Sequence, residues 1–277
     1  MIPLQKSFPR VIMESNKERV DLMFYTIEKI AENTYRFDEN DRANCYLVVG
    51  QEKALLIDGC YGIGDLMQTI RDITDKPVIA AATHRHPDHT CGLRQIGDYY
   101  ASELDNTPIS RKMDNRLIGM MMVLAEKQKI RPYHNRKMGR VLPLQDGDVF
   151  DLGGRTIEVR AVPGHTAGSV IFLDHQQKLM FSGDDANPSL WMHGAGATTL
   201  QQWQQGAQLI LDYLQQGYTS WMGHRNGRQS YEQVSETYRL VQEIIDKTES
   251  GQLTKKDSPY PHKGAMPQVR FKPDRVL

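Results

Sequence analysis

The chain lacks any run approaching the roughly 20 apolar residues of a membrane helix, and its hydrophobic content is only 39%. No membrane-spanning helix and no membrane partner are expected. It also lacks a charge excess, since 34 basic side chains cancel 34 acidic ones. There is neither the basic surplus of a nucleic-acid binder nor an acidic tail, so no nucleic-acid partner is expected. Cysteine is scarce. Cys45, Cys60 and Cys91 are odd in number and without paired spacing, which fits a reducing compartment, the cytoplasm. Cys91 reads as a small buried filler, with a redox or metal role as the alternative. Residues Met1 to Arg10 show neither an apolar core nor a small-residue cleavage pattern, so no secretory signal is expected. Repeats, linkers and low-complexity stretches are missing as well. The 277 residues can bury one large core or two small ones.

Histidine, by contrast, is concentrated. Nine in 277 residues would put about 0.2 in any six-residue window, yet His84-Arg85-His86-Pro87-Asp88-His89 holds three. The preceding Val78–Thr83 reads as a buried strand. While the backbone stays extended, residues two apart share a side, so His84 and His86 can point at one ion. Pro87 then starts a new segment, and Asp88 and His89 leave on another heading, free to reach a second ion. Neutral imidazole and carboxylate suit zinc and other first-row divalent metals. The bland alternative is a polar surface loop.

Elsewhere the pattern is that of alternating strands and helices. Residues 1–23 are charged and irregular, a surface arm. Tyr25–Ile30 and Thr34–Phe37 form one hairpin, and Cys45–Val49 with Ala54–Ile57 a second. The latter ends at Asp58, which either caps the next helix (Ile63, Leu66, Ile70, Ile73) or braces a metal-binding histidine. Leu93, Ile96 and Tyr100 suggest a helix. A helical insertion follows at about 109–130, where Met120 and Met121 either pack in a core face or form an adaptable apolar lid over a pocket. Strands are expected at Val149-Phe150, Thr156–Val162, Ser169–Leu173, Lys178–Ser182 and Thr219–Met222. Helices carry the stripe Leu200, Trp203, Ala207, Ile210, Leu211, Leu214 and, after a Ser230/Gln233 capping box, the stripe Tyr231, Val234, Tyr238, Val241, Ile245, with Gly251 at its end. The arm (1–23) thus precedes one domain (24–250), and an irregular proline-rich tail (251–277) packs on that domain.

Three more strand ends carry ligand chemistry: Gly164-His165, Gly183-Asp184 and Gly223-His224. Glycine lets the backbone approach closely, and a strand end fixes the side chain. Each alone is an ordinary turn residue. Recurring after strand upon strand, they ask for a common ion site, where the two oxygens of Asp184 can bridge two cations.

The series Asp58, His84-x-His86-x-Asp88-His89, His165, Asp184, His224 resembles the five motifs of the metallo-β-lactamase fold superfamily, over about Tyr25 to Ile245. The resemblance implies an α/β fold, an αββα four-layer sandwich with its site at the edge between two sheets. It implies His84, His86 and His165 on one ion, Asp88, His89 and His224 on the other, and Asp184 between them. The chain departs from particular branches. Cys91-Gly92 stands where glyoxalase II-like members commonly have Gly-Gly, and their glutathione-binding basic and tyrosine residues have no clear counterpart. Asn187 stands where lactonase members carry tyrosine. Neither the basic arm of the tRNA-processing members nor the flavodoxin-like domain of the oxygen-reducing members is present.

The expected chemistry is that of a binuclear hydrolase. Two divalent ions, zinc first and iron or manganese next, would hold a bridging water and acidify it, with Asp88 or Asp184 orienting it and taking up its proton. An ester, thioester or lactone is the first choice of small-molecule substrate, a phosphodiester or β-lactam the next. Asn187 and His193 are candidates to line the pocket, His193 alternatively being a plain loop residue. His134, His175 and His262 read as surface histidines. Two other classes compete: a mononuclear iron enzyme like the persulfide dioxygenases, and a sensor that binds metal without turnover. A homodimer is the ordinary expectation for oligomeric state.

Overall fold

Period-2 alternation along the strands sorts the apolar side chains into layers. The computed structural model describes residues 24–106, 138–194, 196–253, 258–261 and 266–277. The arm, the insertion with Met120 and Met121, and His134 and His262 lie outside the described residues. The first sheet takes its strands in chain order: β1 (Thr26–Ala31), β2 (Thr34–Asp38), β3 (Asn44–Val49), β4 (Ala54–Ile57), β5 (Val78–Ala81), β6 (Tyr99–Ala101) and β7 (Val141–Pro143). The first four form an antiparallel meander and the last three add in parallel. The second sheet contains β8 (Val149–Asp151), β9 (Thr156–Ala161), β10 (Val170–Asp174), β11 (Leu179–Gly183), β13 (Thr219–Met222) and β14 (Arg228–Gln229), in the order β14-β13-β11-β10-β9-β8. Between β11 and β13 in sequence, β12 (Ser189–Met192) leaves to pair in parallel with β15 (Gln268–Phe271).

Neighbouring side chains on one strand go to different cores. Leu47 and Leu56 join Leu66 and Ile70 of α1 (Leu66–Arg71) outside the first sheet. Val48, Leu55 and Ile57 turn the other way and meet Phe172 and Phe181 between the sheets. Ile171, Leu173 and Met180 point away from that middle core, toward Ile210 and Leu211 of α3 (Leu200–Gln215) and Val234 of α4 (Tyr231–Glu249). Burial of each such side chain contributes about 1.5–3 kcal/mol. The sequence of layers is helix, sheet, sheet, helix: the αββα sandwich.

Four local expectations need correction. Tyr100 is not helical. The chain makes a short 3-10 helix over Cys91–Gln95, Gly97 breaks it at φ 126°, and Tyr99–Ala101 extends as β6 because β5 and β7 flank it. Asp58 does not cap α1; Asp65 does, its Oδ1 accepting from Gln68 N at 2.9 Å. Tyr231 is the exposed first residue of α4 rather than part of its buried face. The tail is not irregular throughout, since it supplies β15, which pairs with β12. The capping box is formed, with Ser230 and Gln233 exchanging side-chain to backbone bonds, and Gly251 lies just past α4 at φ 72°. Among the described residues, no helix is long and apolar enough to cross a membrane.

The register sets up the site. In parallel pairing Ile57 lies opposite Ala81, so Asp58 and the chain leading to His84 emerge at one sheet edge. Gly183 lies opposite Met222, so Asp184 and His224 emerge together from the other sheet.

Candidate metal centre

His84 leaves β5 buried, and its Nε2 lies 3.1 Å from Nδ1 of His86. That same Nδ1 is 2.8 Å from Nε2 of His165, which follows β9. Three imidazole nitrogens thus converge on one point. A second group gathers around α2 (Pro87–Thr90), a single turn begun by Pro87. Nε2 of His224 is 3.4 Å from Oδ2 of Asp88, and Nε2 of His89 is 3.9 Å from the same oxygen. Asp184 stands between the groups. Its Oδ2 is 3.6 Å from His165 Nε2 and 3.2 Å from His224 Nε2, and its Oδ1 is 3.6 Å from His89 Nε2. All seven side chains named from sequence come together.

Four of the five imidazoles have a polar partner on the far side. His89 Nδ1–H donates to Asp58 Oδ2 at 2.8 Å, and Asp58 also accepts from Thr83 N at 2.8 Å. His165 Nδ1–H donates to Trp191 O at 2.8 Å, and His224 Nδ1–H donates to Arg42 O at 2.7 Å. His84 Nδ1 is 3.1 Å from Thr83 Oγ1. Such partners fix tautomer and ring orientation, leaving the Nε2 lone pairs of these rings directed inward.

Electrostatics divides the histidines. Burial, and then the neighbouring imidazoles, push His84 well below its ordinary range. Burial, and then His86, push His165 down to about 4. Both are held neutral, the ligand-competent form. His224 is pushed up to about 10, chiefly by Asp184. For His89 burial works against charging, but Asp58, Asp184 and Asp88 together outweigh it and raise the pKa. Asp88 stays ionised, down to about 2: burial opposes this, and His89 and His224 overcome it.

The donor set fits divalent cations. His89 Nε2 and Asp184 Oδ1 are buried and have no hydrogen-bond partner among the described residues, a situation that costs roughly 1–3 kcal/mol per group. Their 3.6 Å separation is too long for a hydrogen bond. It is close to the roughly 3.3–3.5 Å between two ligands of one tetrahedral ion. Three sets of ligand atoms lie within 4.8 Å of one another: His84/His86/His165, His84/His89/Asp184 and Asp88/His89/His224.

The remaining candidates fall at the periphery. Asn187 is buried and its Oδ1 accepts from Ser189 N at 3.0 Å, organising the turn into β12. The His193 ring lies 5.5 Å from that of Trp191. His175 is exposed and bonded to Tyr218 and Glu158, away from the cluster. Cys91 is buried.

Asp105 carries no mark of a site residue in the sequence. It is buried and accepts from Arg85 N at 3.2 Å, Thr166 Oγ1 at 2.7 Å and Gly168 N at 2.9 Å. One carboxylate therefore ties the loop between His84 and His86 to the loop after His165. Asp105→Ala should lower unfolding free energy by about 2–4 kcal/mol, because buried donors lose their acceptor. It should also weaken zinc binding about 10–100-fold, as loss of a supporting partner does. Denaturant titration and competition with a chelating dye read the two effects.

A sandwich of this layering, with imidazoles and carboxylates collected at adjoining strand ends, defines an αββα protein with a site able to hold divalent cations. The metallo-beta-lactamase superfamily profile matches residues 39–205, and the chain belongs to that superfamily. It is similar to the human (Homo sapiens) acyl-coenzyme A thioesterase MBLAC2, 31% identical over 169 residues that cover 53% of this chain and 60% of that protein. The hydroxyacylglutathione hydrolase GloC of Haemophilus influenzae is 28% identical over 160 residues, 56% of this chain and 70% of that one. The chain thus spans about 60% of the length of the thioesterase relatives it matches. In fold it is similar to a metallo-beta-lactamase from Pontibacter korlensis, at TM-score 0.56 and 21% identity over 79% of this chain and 99% of that one. A metallo-beta-lactamase family protein from Thermus thermophilus gives TM-score 0.59 and 17% identity, with 79% and 83% covered.

Proposed function

We propose that the protein is a binuclear metal-dependent hydrolase acting on a small-molecule thioester. The observation carrying this reading is the position of Asp184 between the His84/His86/His165 group and the Asp88/His89/His224 group, within 3.6 Å of His89, His165 and His224. These seven residues would hold two divalent ions, zinc by the balance of imidazole and carboxylate. When bound, such a pair supplies Lewis acidity and a water acidified toward neutral pH. Asp88, whose side chain is 21% exposed and stands 3.4 Å from His224 Nε2, would orient the water and take up its proton. The fixed tautomers of His89, His165 and His224 keep the site from reorganising as charge develops. Thioesters are favoured over lactones and β-lactams because both sequence relatives are named for release of an acyl group from a carrier, coenzyme A or glutathione.

The test is metal quantification on protein loaded with zinc, iron or manganese, alongside a hydrolysis screen over thioesters, lactones, phosphodiesters and β-lactams. About two equivalents of zinc and turnover concentrated on thioesters are expected. A single tightly held iron, or turnover confined to phosphodiesters, overturns the reading.

The histidine charges also set a pH dependence. His224 holds its proton up to about pH 10 in the metal-free fold, against about 6.5 unfolded. Its contribution is complete below pH 6.5 and is lost as pH rises through 10. Asp185, raised to about 8 by burial, acts in the same direction over its lower range. Metal-stripped protein should therefore lose stability from about pH 6.5 to about pH 10, and His224→Gln should flatten the slope. Zinc must displace that proton, so zinc affinity should rise over the same interval. Urea midpoints with and without zinc measure both.

A further inference from the structure

The rim beside the centre is aromatic and cationic. β12 and β15 pair with Trp191 opposite Arg270 and Met192 opposite Phe271. Alternation turns Leu190, Met192, Val269 and Phe271 into the core with α3 and α4. Trp191 and Arg270 are left on the other face, where Trp191 is 47% exposed and the Arg270 guanidinium lies 4.7 Å from the centre of the indole ring. His193 and Lys272 adjoin them; burial, then the charges of Arg270 and Lys272, lower the His193 pKa. Among the described residues, no carboxylate forms an ion pair with Arg225, Arg270 or Lys272.

This patch is joined to the centre on two sides. The carbonyl of Trp191 receives the Nδ1–H of His165. Arg225, directly after His224, reaches Met266 Sδ at 3.9 Å, four residues before Arg270. The strand carrying Trp191 thus supports one residue of the centre, and the segment leading into β15 meets the residue next to another.

Cations without acidic partners, grouped around an exposed indole, fit an anion that carries a planar ring. We propose that this patch binds the phosphates and base of a nucleotide-bearing thiol carrier, making the substrate an acyl thioester of the coenzyme A class. The inference rests on the thioesterase reading above. A peptide thiol such as glutathione offers carboxylates but no ring, and would leave Trp191 unused. The reaction remains hydrolysis: the acyl C–S bond breaks, a C–O bond to water's oxygen forms, and the thiol departs with a proton, without redox change.

The test has two arms. In the first, adenosine 3′,5′-bisphosphate is titrated into the full chain and tryptophan fluorescence followed. Trp203 and Trp221 are buried, so Trp191 reports solvent-side binding. Saturable quenching is expected, weakened at least tenfold by Arg270→Glu and by Lys272→Glu, the second being a surface change that leaves the β12–β15 ladder intact. In the second, zinc-loaded enzyme is given one acyl group on coenzyme A, on pantetheine and on glutathione. A kcat/KM preference of about 10–100-fold for coenzyme A over pantetheine is expected, residing in KM and shrinking at least tenfold in both variants. Absence of quenching to millimolar ligand, equal use of the coenzyme A and pantetheine esters, or a preference untouched by both variants overturns the proposal. Thioester turnover without nucleotide binding removes only this inference, whereas nucleotide binding with no thioester turnover removes the hydrolase reading instead.

Discussion

Asp184→Ala is expected to lower thioester hydrolysis by well over 100-fold and to reduce bound zinc in step. The expectation follows from position. Residues that merely orient ligands are worth roughly 10–100-fold in metal affinity or activity, and Asp184 faces three imidazoles directly, at 3.2–3.6 Å. A second readout is independent of turnover. Asp184 is the largest cause of the raised His224 pKa, so in the metal-free variant His224 should titrate well below about 10, as followed by NMR of the imidazole protons. A variant that binds two zinc ions and hydrolyses thioesters at the normal rate would remove Asp184 from between the ions.

Gly223→Ala should be nearly as severe, although it adds one methyl group. A Cβ at this position would stand 2.4 Å from His89 Cε1 and 2.9 Å from Asp184 Oδ1. Neither neighbour can give way easily. His89 is fully buried and held by Asp58, and Gly223 is itself fixed by Gly223 N–H to Gly183 O at 2.8 Å and by Asn44 N–H to Gly223 O at 2.7 Å. Overpacking of this kind typically destabilises by about 1–3 kcal/mol. Here the strain falls on two inward-facing groups, so zinc affinity should drop at least 100-fold while the fold persists. Gly194→Ala, whose added Cβ would meet nothing within 4 Å, should leave zinc affinity unchanged. Calorimetric zinc titration of both variants separates a steric effect at the centre from a general intolerance of alanine for glycine.

Asp105 shows what kind of feature escapes a reading of the chain. It sits in Ser102-Glu103-Leu104-Asp105, a stretch with no motif, and it matters only because Arg85, Thr166 and Gly168 arrive around it from residues 20 to 63 positions away. The acceptors that aim His165 and His224 are invisible for a stronger reason. They are the backbone carbonyls of Trp191 and Arg42, and every residue has a carbonyl, so no residue type marks them. Trp191 and Arg270 are 79 positions apart and become neighbours only when β12 and β15 pair. Tyr100 reads as helical in the sequence because a three-residue strand between parallel neighbours offers too few positions for a period to show.

The order of residues by itself determined the local grammar. Alternating apolar runs gave most of the strands, the Ser230 and Leu200 patterns gave two helices, and glycine or proline beside His and Asp marked the strand ends where ligands leave the backbone. Those are short-range properties, because side-chain period and turn chemistry act over a few residues. The tertiary structure alone decided which strand ends share an edge, which far-side groups aim each ring, and what lies on the rim. Each of these depends on register between segments distant in the chain, and register is set by packing of the whole sandwich rather than by any segment of it.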